Sequence, residues 1–410
     1  MNWKDKNVLI TGIGGFAGSY LAKELIKRES NVYGLIRRRA DGTTAKNIID
    51  RRIGDEVNLI EGDLIDITSL TNALDNSEPD YIFHLAAQSF VERSFDNSQE
   101  TQNINCIGTS NLLEAVRIKD SNTKTVFAGS SEEYGLVLSS QEQYEKAKKD
   151  YGTIFPEPEE IPEVPIKETN PLRPMSPYAV SKVYGDYLMR NYFHSYGLDT
   201  VVSRAFNHEG AGRGIMFVTS VITNQIMKLK SGESDRIVIG NLNALRDWSH
   251  VKDIVQGYLL LAEKGHAGDV YNQGSMRTNS VLSYILLGLE EAGWDVRDIK
   301  TYQGDKKIQD PNEMDNSSIY GVKFPKTKVD QLILDGQLEY TLEDKGIKVN
   351  TTQGDVTIEF NPDRFRPAEV PILFADTKKI QAIGGKIDYT LNDILKDQLN
   401  YFMKKENRTP

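Results

Sequence analysis

Short β-branched runs alternate with helical patterns through the first half of the chain, the arrangement of a parallel sheet wrapped by helices. Strands are predicted at Asn7–Thr11, Asn31–Ile36, Val57–Glu61, Tyr81–Leu85, Lys124–Ala128 and Thr200–Ala205. Helices are predicted between them near Gly15–Arg28, Ile67–Asn76, Asn103–Arg117 and Pro177–Ser195, and further on at Phe217–Lys230, Val251–Ala262 and Asn279–Ala292. The strands are almost continuously apolar, which suits a sheet covered on both faces. Two stretches break the rhythm. Leu138–Pro165 is charged, proline-rich towards its end and without clear period, and reads as a surface excursion. Asp310–Pro362 mixes short alternating runs with turn-like Gly and Asn-Pro, and reads as a small β-rich insertion near 310–362. No internal repeat is evident.

The length, 410 residues, is enough for two or three domains. Charge narrows the partners: 49 Lys+Arg against 59 Asp+Glu give a net charge of −10, the wrong sign for a nucleic-acid or membrane-surface binder. The single cysteine, Cys106, excludes an intrachain disulfide and any multi-cysteine metal site. His84, His194, His250 and His266 are scattered without metal-ligand spacing, so no metal is expected. No apolar run approaches the ~20 residues that span a bilayer, and the start runs into a strand pattern without a signal-peptide core. A cytoplasmic protein is expected.

Thr11-Gly12-Ile13-Gly14-Gly15-Phe16-Ala17-Gly18 follows the first strand and opens the first helix. Gly12, Gly15 and Gly18 permit a tight turn and close backbone approach, and a helix N-terminus at Phe16 offers free N–H groups to a pyrophosphate. Alone the string could be a ligand-free glycine loop; its place between strand and helix favours dinucleotide binding. The expected fold is therefore a Rossmann-type doubly wound α/β sheet with a smaller, discontinuous C-terminal substrate domain. Residues 1–206 with 245–272 are assigned to the first domain, and 207–244 with 273–410 to the second. After the second strand the chain reads Arg37-Arg38-Arg39, with no carboxylate for the ribose of NAD. Guanidinium groups suit a 2′-phosphate, so NADP is expected over NAD, with Arg37 as its contact; the plainer alternative is a solvated basic loop. Asp63 and Leu64 after the third strand are placed at the adenine edge, and Leu85, Ala86, Gln88 and Ser89 after the fourth beside ribose and nicotinamide.

Tyr178 and Lys182 stand four apart on one helix face. A nearby ammonium, with the positive nicotinamide, is expected to lower the phenol pKa so that Tyr178 accepts a hydroxyl proton as hydride leaves. Taken alone, a surface Tyr–Lys pair reads as easily. Ser130-Ser131-Glu132-Glu133-Tyr134-Gly135 follows the fifth strand, at the sheet end where ligands bind. Ser130 is placed to hydrogen-bond the reacting oxygen and Tyr178. Glu132 adds a second base that a simple alcohol dehydrogenase does not need; the alternative is that Glu132 and Glu133 are exposed loop acids.

Together these strings resemble an extended short-chain dehydrogenase/reductase. Ser176–Lys182, Phe206-Asn207-His208-Glu209, Arg213-Gly214, Phe217-Val218-Thr219, Gly240-Asn241-Leu242, Arg246-Asp247-Trp248 and Arg366-Pro367-Ala368-Glu369-Val370 resemble the GDP-mannose 4,6-dehydratase family, over most of the chain outside the two excursions. The resemblance implies a GDP-sugar substrate and bound NADP. It implies that Tyr178 with Lys182 deprotonates O4 as hydride leaves C4, that Glu132 removes H5, that water leaves from C6, and that the hydride returns to C6. Ser130 would align O4. Ser131 stands where another branch carries an aspartic acid, so Glu132 would serve as both base and acid. His208 and Arg213 match cofactor contacts, although a hydrogen-bonded structural histidine reads equally well at 208. Asn207, Arg246 and Glu369 match positions near the diphosphate and sugar, with Ser89, Ser131 and Val218 on the substrate side.

The chain departs from the family at Ser220-Val221, where a basic pair is usual, and at Ala40–Thr44, unlike the serine-rich loop shared across family tetramers. A homodimer through Asn103–Arg117 and Pro177–Ser195, or a homotetramer, is expected. The alternative substrate is GDP-N-acetylglucosamine, as in nonulosonic (legionaminic) acid synthesis. Behind it stand a nucleotide-sugar 4-epimerase, which needs no base at H5, and a non-catalytic NADP-binding regulator.

Overall fold

A computed structural model describes residues 2–408. Its first layer is a seven-stranded sheet built from β1 (Asn7–Thr11), β2 (Asn31–Ile36), β3 (Asn58–Glu61), β4 (Tyr81–His84), β5 (Lys124–Ala128), β6 (Thr200–Ala205) and β7 (Val270–Gln273). The order is β7-β6-β5-β4-β1-β2-β3, every pair parallel. Residues on β1 show why its apolar run is continuous. Successive side chains point to opposite faces: Val8 and Ile10 join the core with Leu21, Leu25 and Leu259, whereas Leu9 joins Leu70, Leu74 and Leu112 on the other side. Each such buried side chain contributes roughly 1.5–3 kcal/mol. The strand order reverses between β1 and β4, which opens a crevice at their carboxyl ends.

β7 was not among the expected strands. Its four residues, Val-Tyr-Asn-Gln, are half polar, and burial of Asn272 comes from partners elsewhere: its amide donates to the Ile166 carbonyl at 2.9 Å, and its side-chain oxygen accepts from Tyr134 at 2.6 Å.

The second layer is a five-stranded sheet ordered Lys307–Gln309, Val296–Thr301, Gly346–Thr351, Gly354–Phe360 and Arg236–Ile239. Helices Val218–Lys230, Val281–Glu291 and Leu391–Met403 share its core. The stretch 310–362 is thus more than an insertion of strands. Its hairpin completes this sheet, with Ile347, Val349 and Ile358 fully buried, and it also carries the helix Lys328–Leu334.

The stretch 138–165 is the surface excursion expected, and it is folded. It forms a helix, Gln141–Tyr151, capped by Ser140, whose hydroxyl accepts from the Gln143 amide at 3.1 Å. The helix is polar on nearly all sides, so it shows no apolar period; Leu138, Ala147 and Ile154 form a small core beneath it. Arg173 ties the stretch down through two 2.8 Å bonds to Glu163, both side chains about 95% buried, and through the Leu136 and Pro156 carbonyls. Removing one partner strands a buried charge. Glu163→Gln is expected to destabilise the protein by about 3–5 kcal/mol, read from the urea midpoint; a change within about 0.5 kcal/mol would show the pair to be solvated. No helix among the described residues is long and apolar enough to cross a membrane.

Candidate active site

The crevice between β1 and β4 is shaped by backbone that tolerates no side chain. Gly12 has φ +77°, and a Cβ there would lie 2.8 Å from the Ala86 amide nitrogen; one on Gly18 would strike the Gly12 carbonyl. The helix Phe16–Lys27 begins after Gly15 with no side-chain cap and no acidic residue in its first turn. Its N–H groups are free for an anion, so the cradle fits a dinucleotide pyrophosphate. Beneath it, Thr11 Oγ1 bridges His84 Nδ1 at 2.8 Å and the Ala86 amide at 3.2 Å, and His84 Nε2 meets Thr109 at 3.0 Å. Burial holds the His84 pKa down to about 3, so this ring is neutral and structural.

Around the cradle, Leu85 and Ala86 are half-buried on the loop after β4, and Ser89 is exposed. Gln88 spends its amide on the loop itself, donating to the Phe90 carbonyl and Thr101 and accepting from the Phe90 amide at 2.7 Å. Asp63 caps its own turn, its carboxylate accepting from the Ile65 amide at 3.3 Å, and Leu64 is buried. At the end of β2, Arg38 lies 3.9 Å from Glu61 and Arg39 donates to Thr43, whereas Arg37 is exposed and has no hydrogen bond or ion pair among the described residues.

The opposite lip follows β6. His208 stacks on Phe16, ring centres 6.3 Å apart, and its Nδ1 meets the Phe206 carbonyl at 3.0 Å. Burial first, then Arg213, pushes its pKa down to about 4. Because a carbonyl only accepts, Nδ1 carries the proton and Nε2 is left as an acceptor. His208 is therefore structurally bonded, and its ring stacks on the first side chain after the glycine turn. Arg213 lies 3.5 Å over the Phe217 ring and 3.5 Å from Glu209, and its buried Nε has no hydrogen-bond partner among the described residues. The Asn207 side-chain oxygen is also buried without one. Val218 opens the helix beside them, half-buried.

The reacting groups come together at the end of β5. Ser176 caps the helix Pro177–Tyr196, accepting from the Ala179 amide at 3.0 Å, and this turns Tyr178 and Lys182 inward on one face. Ser130 caps the turn Ser131–Glu133: its hydroxyl accepts from the Glu132 amide at 3.2 Å, its amide donates to Glu133 at 2.7 Å, and it lies beside the Tyr178 phenol. Glu132 and Glu133 are buried, with Ser131 between them and Ser130, which excludes the exposed-loop reading. Lys182 donates to the Ala128 carbonyl at 2.7 Å, and burial pushes its pKa down to about 8.

One expectation is corrected here. The protein raises the Tyr178 phenol pKa: burial is the largest cause and Glu132 and Glu133 add to it, while the Ser130 hydroxyl and Arg213 oppose it. Lys182, 5.9 Å from the ring centre, is not the group that counters burial.

Two residues were missed. Glu133, whose pKa burial and then Asp186 push up, lies 3.2 Å from Arg204 and braces Ser130. Arg366 lies 3.7 Å from Glu132 and 3.9 Å from Glu369, which Arg246 holds at 2.8 Å. The signal for both was their place within the strings Ser130–Gly135 and Arg366–Val370.

The model of the NAD dependent epimerase/dehydratase family matches residues 8–274. A GDP-mannose 4,6-dehydratase of Yersinia enterocolitica is 33% identical over 401 residues, 95% of this chain and 91% of that protein. One of Vibrio cholerae serotype O1 is 33% identical over 403 residues, 96% and 92%. Among solved structures, UDP-glucose 4-epimerase from Bifidobacterium longum with NAD+ and UDP matches with TM-score 0.69 at 20% identity, covering 98% of this chain and 99% of that one. Pseudomonas aeruginosa RMD complexed with NADPH matches with TM-score 0.66 at 22% identity, covering 97% and 98%. These structures establish the fold, and the sequence relatives the family. The chain belongs to the NAD dependent epimerase/dehydratase family and, within it, to the GDP-mannose 4,6-dehydratases.

Proposed function

We propose that the protein removes water from GDP-mannose to give its 4-keto-6-deoxy derivative, with NADP as the hydride carrier. The observation that carries this reading is Glu132, a buried carboxylate in the same small site as Ser130 and Tyr178. Oxidation at C4 needs one base; a second is needed only when C5 loses a proton. The full-length relatives named GDP-mannose 4,6-dehydratase support the same hexose over the N-acetylated alternative. Incubation with a panel of GDP-, UDP- and dTDP-sugars, scored by mass spectrometry, tests it: GDP-mannose alone should lose water.

A nicotinamide dinucleotide held in the glycine cradle would supply the hydride acceptor for C4 and the hydride donor for C6. Tyr178 takes the O4 proton, with Ser130 aligning that oxygen. Glu132 takes the C5 proton and passes it to the departing C6 hydroxyl, so a molecule of water leaves. When the hydride reaches C6, a proton returns to C5, and the balance is the loss of one water. Gly12, Gly15, Phe16 and Gly18 hold the pyrophosphate, with Asp63, Leu64, Leu85, Ala86, Gln88, Lys182, His208 and Arg213 about the rest of the dinucleotide. Ser89, Ser131, Asn207, Val218, Arg246 and Glu369 serve the nucleotide sugar. We assign residues 1–206 and 245–272 to the dinucleotide domain and the remainder to the sugar domain.

Arg37, exposed and unpaired among the described residues, supports NADP over NAD. Losing one charge-assisted phosphate contact corresponds to about ten- to a hundredfold in affinity. Calorimetric titration should show that preference; equal or tighter binding of NAD would remove it. The exposed apolar side chains Val180, Tyr184 and Tyr187 on one helix, with Ile107 and Ile118 on its neighbour, support assembly with a second copy.

A further inference from the structure

No step of the reaction uses Glu133, yet its side chain is fully buried, as is Asp186 beside it, and Arg204 is 3% exposed. Glu133 Oε1 accepts from the Ser130 amide at 2.7 Å while the Ser130 hydroxyl accepts from the Glu132 amide at 3.2 Å, so the turn Ser131–Glu133 is closed reciprocally. There is no slack around that oxygen: a Cβ on Gly129 would lie 2.6 Å from it. The other oxygen, Oε2, stands 3.2 Å from Arg204 Nε but has no hydrogen bond among the described residues, because the Nε proton goes to Asp186 at 2.9 Å. The two oxygens therefore have separate parts. Arg204, which also donates to the Tyr134 hydroxyl at 3.0 Å and the Glu168 carbonyl at 3.1 Å, offsets the charge from β6, and Oε1 holds the turn. Burying a carboxylate to satisfy one amide is costly. What it secures is position, since this one turn carries both Ser130 and Glu132.

We propose that Glu133 is a positioning residue for both chemical steps: through its hydrogen bond to the Ser130 amide it sets where the Ser130 hydroxyl meets O4 and where the Glu132 carboxylate meets the C5 proton. The proposal rests on the dehydratase reading. Misplacing a reacting group by about 1 Å slows a reaction on the order of a hundredfold. Glu133→Leu, which offers the amide no acceptor, should slow hydride transfer and dehydration together by that factor. Arg204 keeps Asp186 as its partner in this variant, so no buried charge is stranded. Glu133→Gln keeps a carbonyl oxygen on a side chain of the same length, and its NH2 group would face the Asp186 carboxylate. Burial and then Asp186 already favour a neutral group at this position. Glu133→Gln should therefore run near the wild-type rate.

The test is a single turnover of full-length enzyme, loaded with NADP, on GDP-mannose. Absorbance of the reduced nicotinamide and release of dehydrated product are followed together, with rate and amplitude read separately: amplitude counts folded enzyme, and rate reports the geometry of the turn. Glu133→Leu should keep its amplitude and lose rate on the order of a hundredfold in both steps, and Glu133→Gln should recover both. Glu133→Met, unbranched and equally long, carries the same expectation as Glu133→Leu should the latter fail to fold. In the free enzyme, exchange of the Ser130 amide proton with heavy water, followed by NMR, should quicken in Glu133→Leu and stay slow in Glu133→Gln. Lost amplitude at an unchanged rate would make Glu133 a folding residue and overturn the proposal. So would a Glu133→Gln variant as slow as Glu133→Leu, which would place the effect in the charge and not in the hydrogen bond. Wild type that dehydrates GDP-mannose while Glu133→Leu and Glu133→Met keep both rates overturns this proposal alone. Wild type that makes no dehydrated product overturns the functional reading and the proposal with it.

Discussion

Tyr178→Phe is expected to lower turnover by about 10²–10⁴-fold and to abolish reduction of the bound nicotinamide while leaving dinucleotide affinity near that of wild type. Phenylalanine keeps the buried ring, so packing survives; what is lost is the hydroxyl beside Ser130. Burial raises the phenol pKa, and this places the burden of proton acceptance on the groups that favour the charged form, the Ser130 hydroxyl and the Arg213 charge. Lys182 is a poor substitute base, because its ammonium is turned to the Ala128 carbonyl. Stopped-flow absorbance with calorimetry for affinity decides the matter. Near-normal turnover in Tyr178→Phe would mean that another group takes the O4 proton.

The second large effect separates dehydration from oxidation. Glu132→Gln keeps the size of the side chain but cannot take a proton as a carboxylate does. Hydride transfer from C4 should proceed, since Tyr178, Ser130 and Lys182 are untouched. The C5 proton should then stay in place, and the variant should stall as bound 4-keto sugar with reduced nicotinamide, its steady-state rate down by about 10²–10⁴-fold. Wild type, which returns its hydride, should show no net reduction of the cofactor at steady state. Release of 4-keto-6-deoxy product by Glu132→Gln at the wild-type rate would remove Glu132 from the mechanism.

The parts of this site legible in the sequence are those made by local geometry. The β1 turn is written in Gly12, Gly15 and Gly18 because a tight turn and close backbone approach demand glycine there. The Tyr178–Lys182 face follows from helix period and a serine cap. The inner parallel strands announce themselves by apolar runs and the edge strand β3 by Leu59 and Ile60, whereas β7 hides because Asn272 and Gln273 are buried through hydrogen bonds formed with distant segments. The helix Gln141–Tyr151 escapes for the opposite reason: it buries little beyond Ala147, so no stripe marks it. The hairpin Gly346–Phe360 does show alternation, yet only pairing with Val296–Thr301 and Arg236–Ile239 reveals that it closes a sheet. Charge relations are the least legible. Glu132 meets Arg366 across most of the chain, and the direction of the Tyr178 shift depends on a burial that the spacing of Tyr and Lys does not contain.

The most direct measurement of the central claim is turnover of GDP-mannose by the wild-type protein in heavy water, with the product examined by mass spectrometry and NMR. The account predicts a product lighter by one water, with solvent deuterium at C5 and a C6 methyl group that carries the hydrogen formerly on C4. A product of unchanged mass, or a dehydrated one with no deuterium at C5, would contradict it.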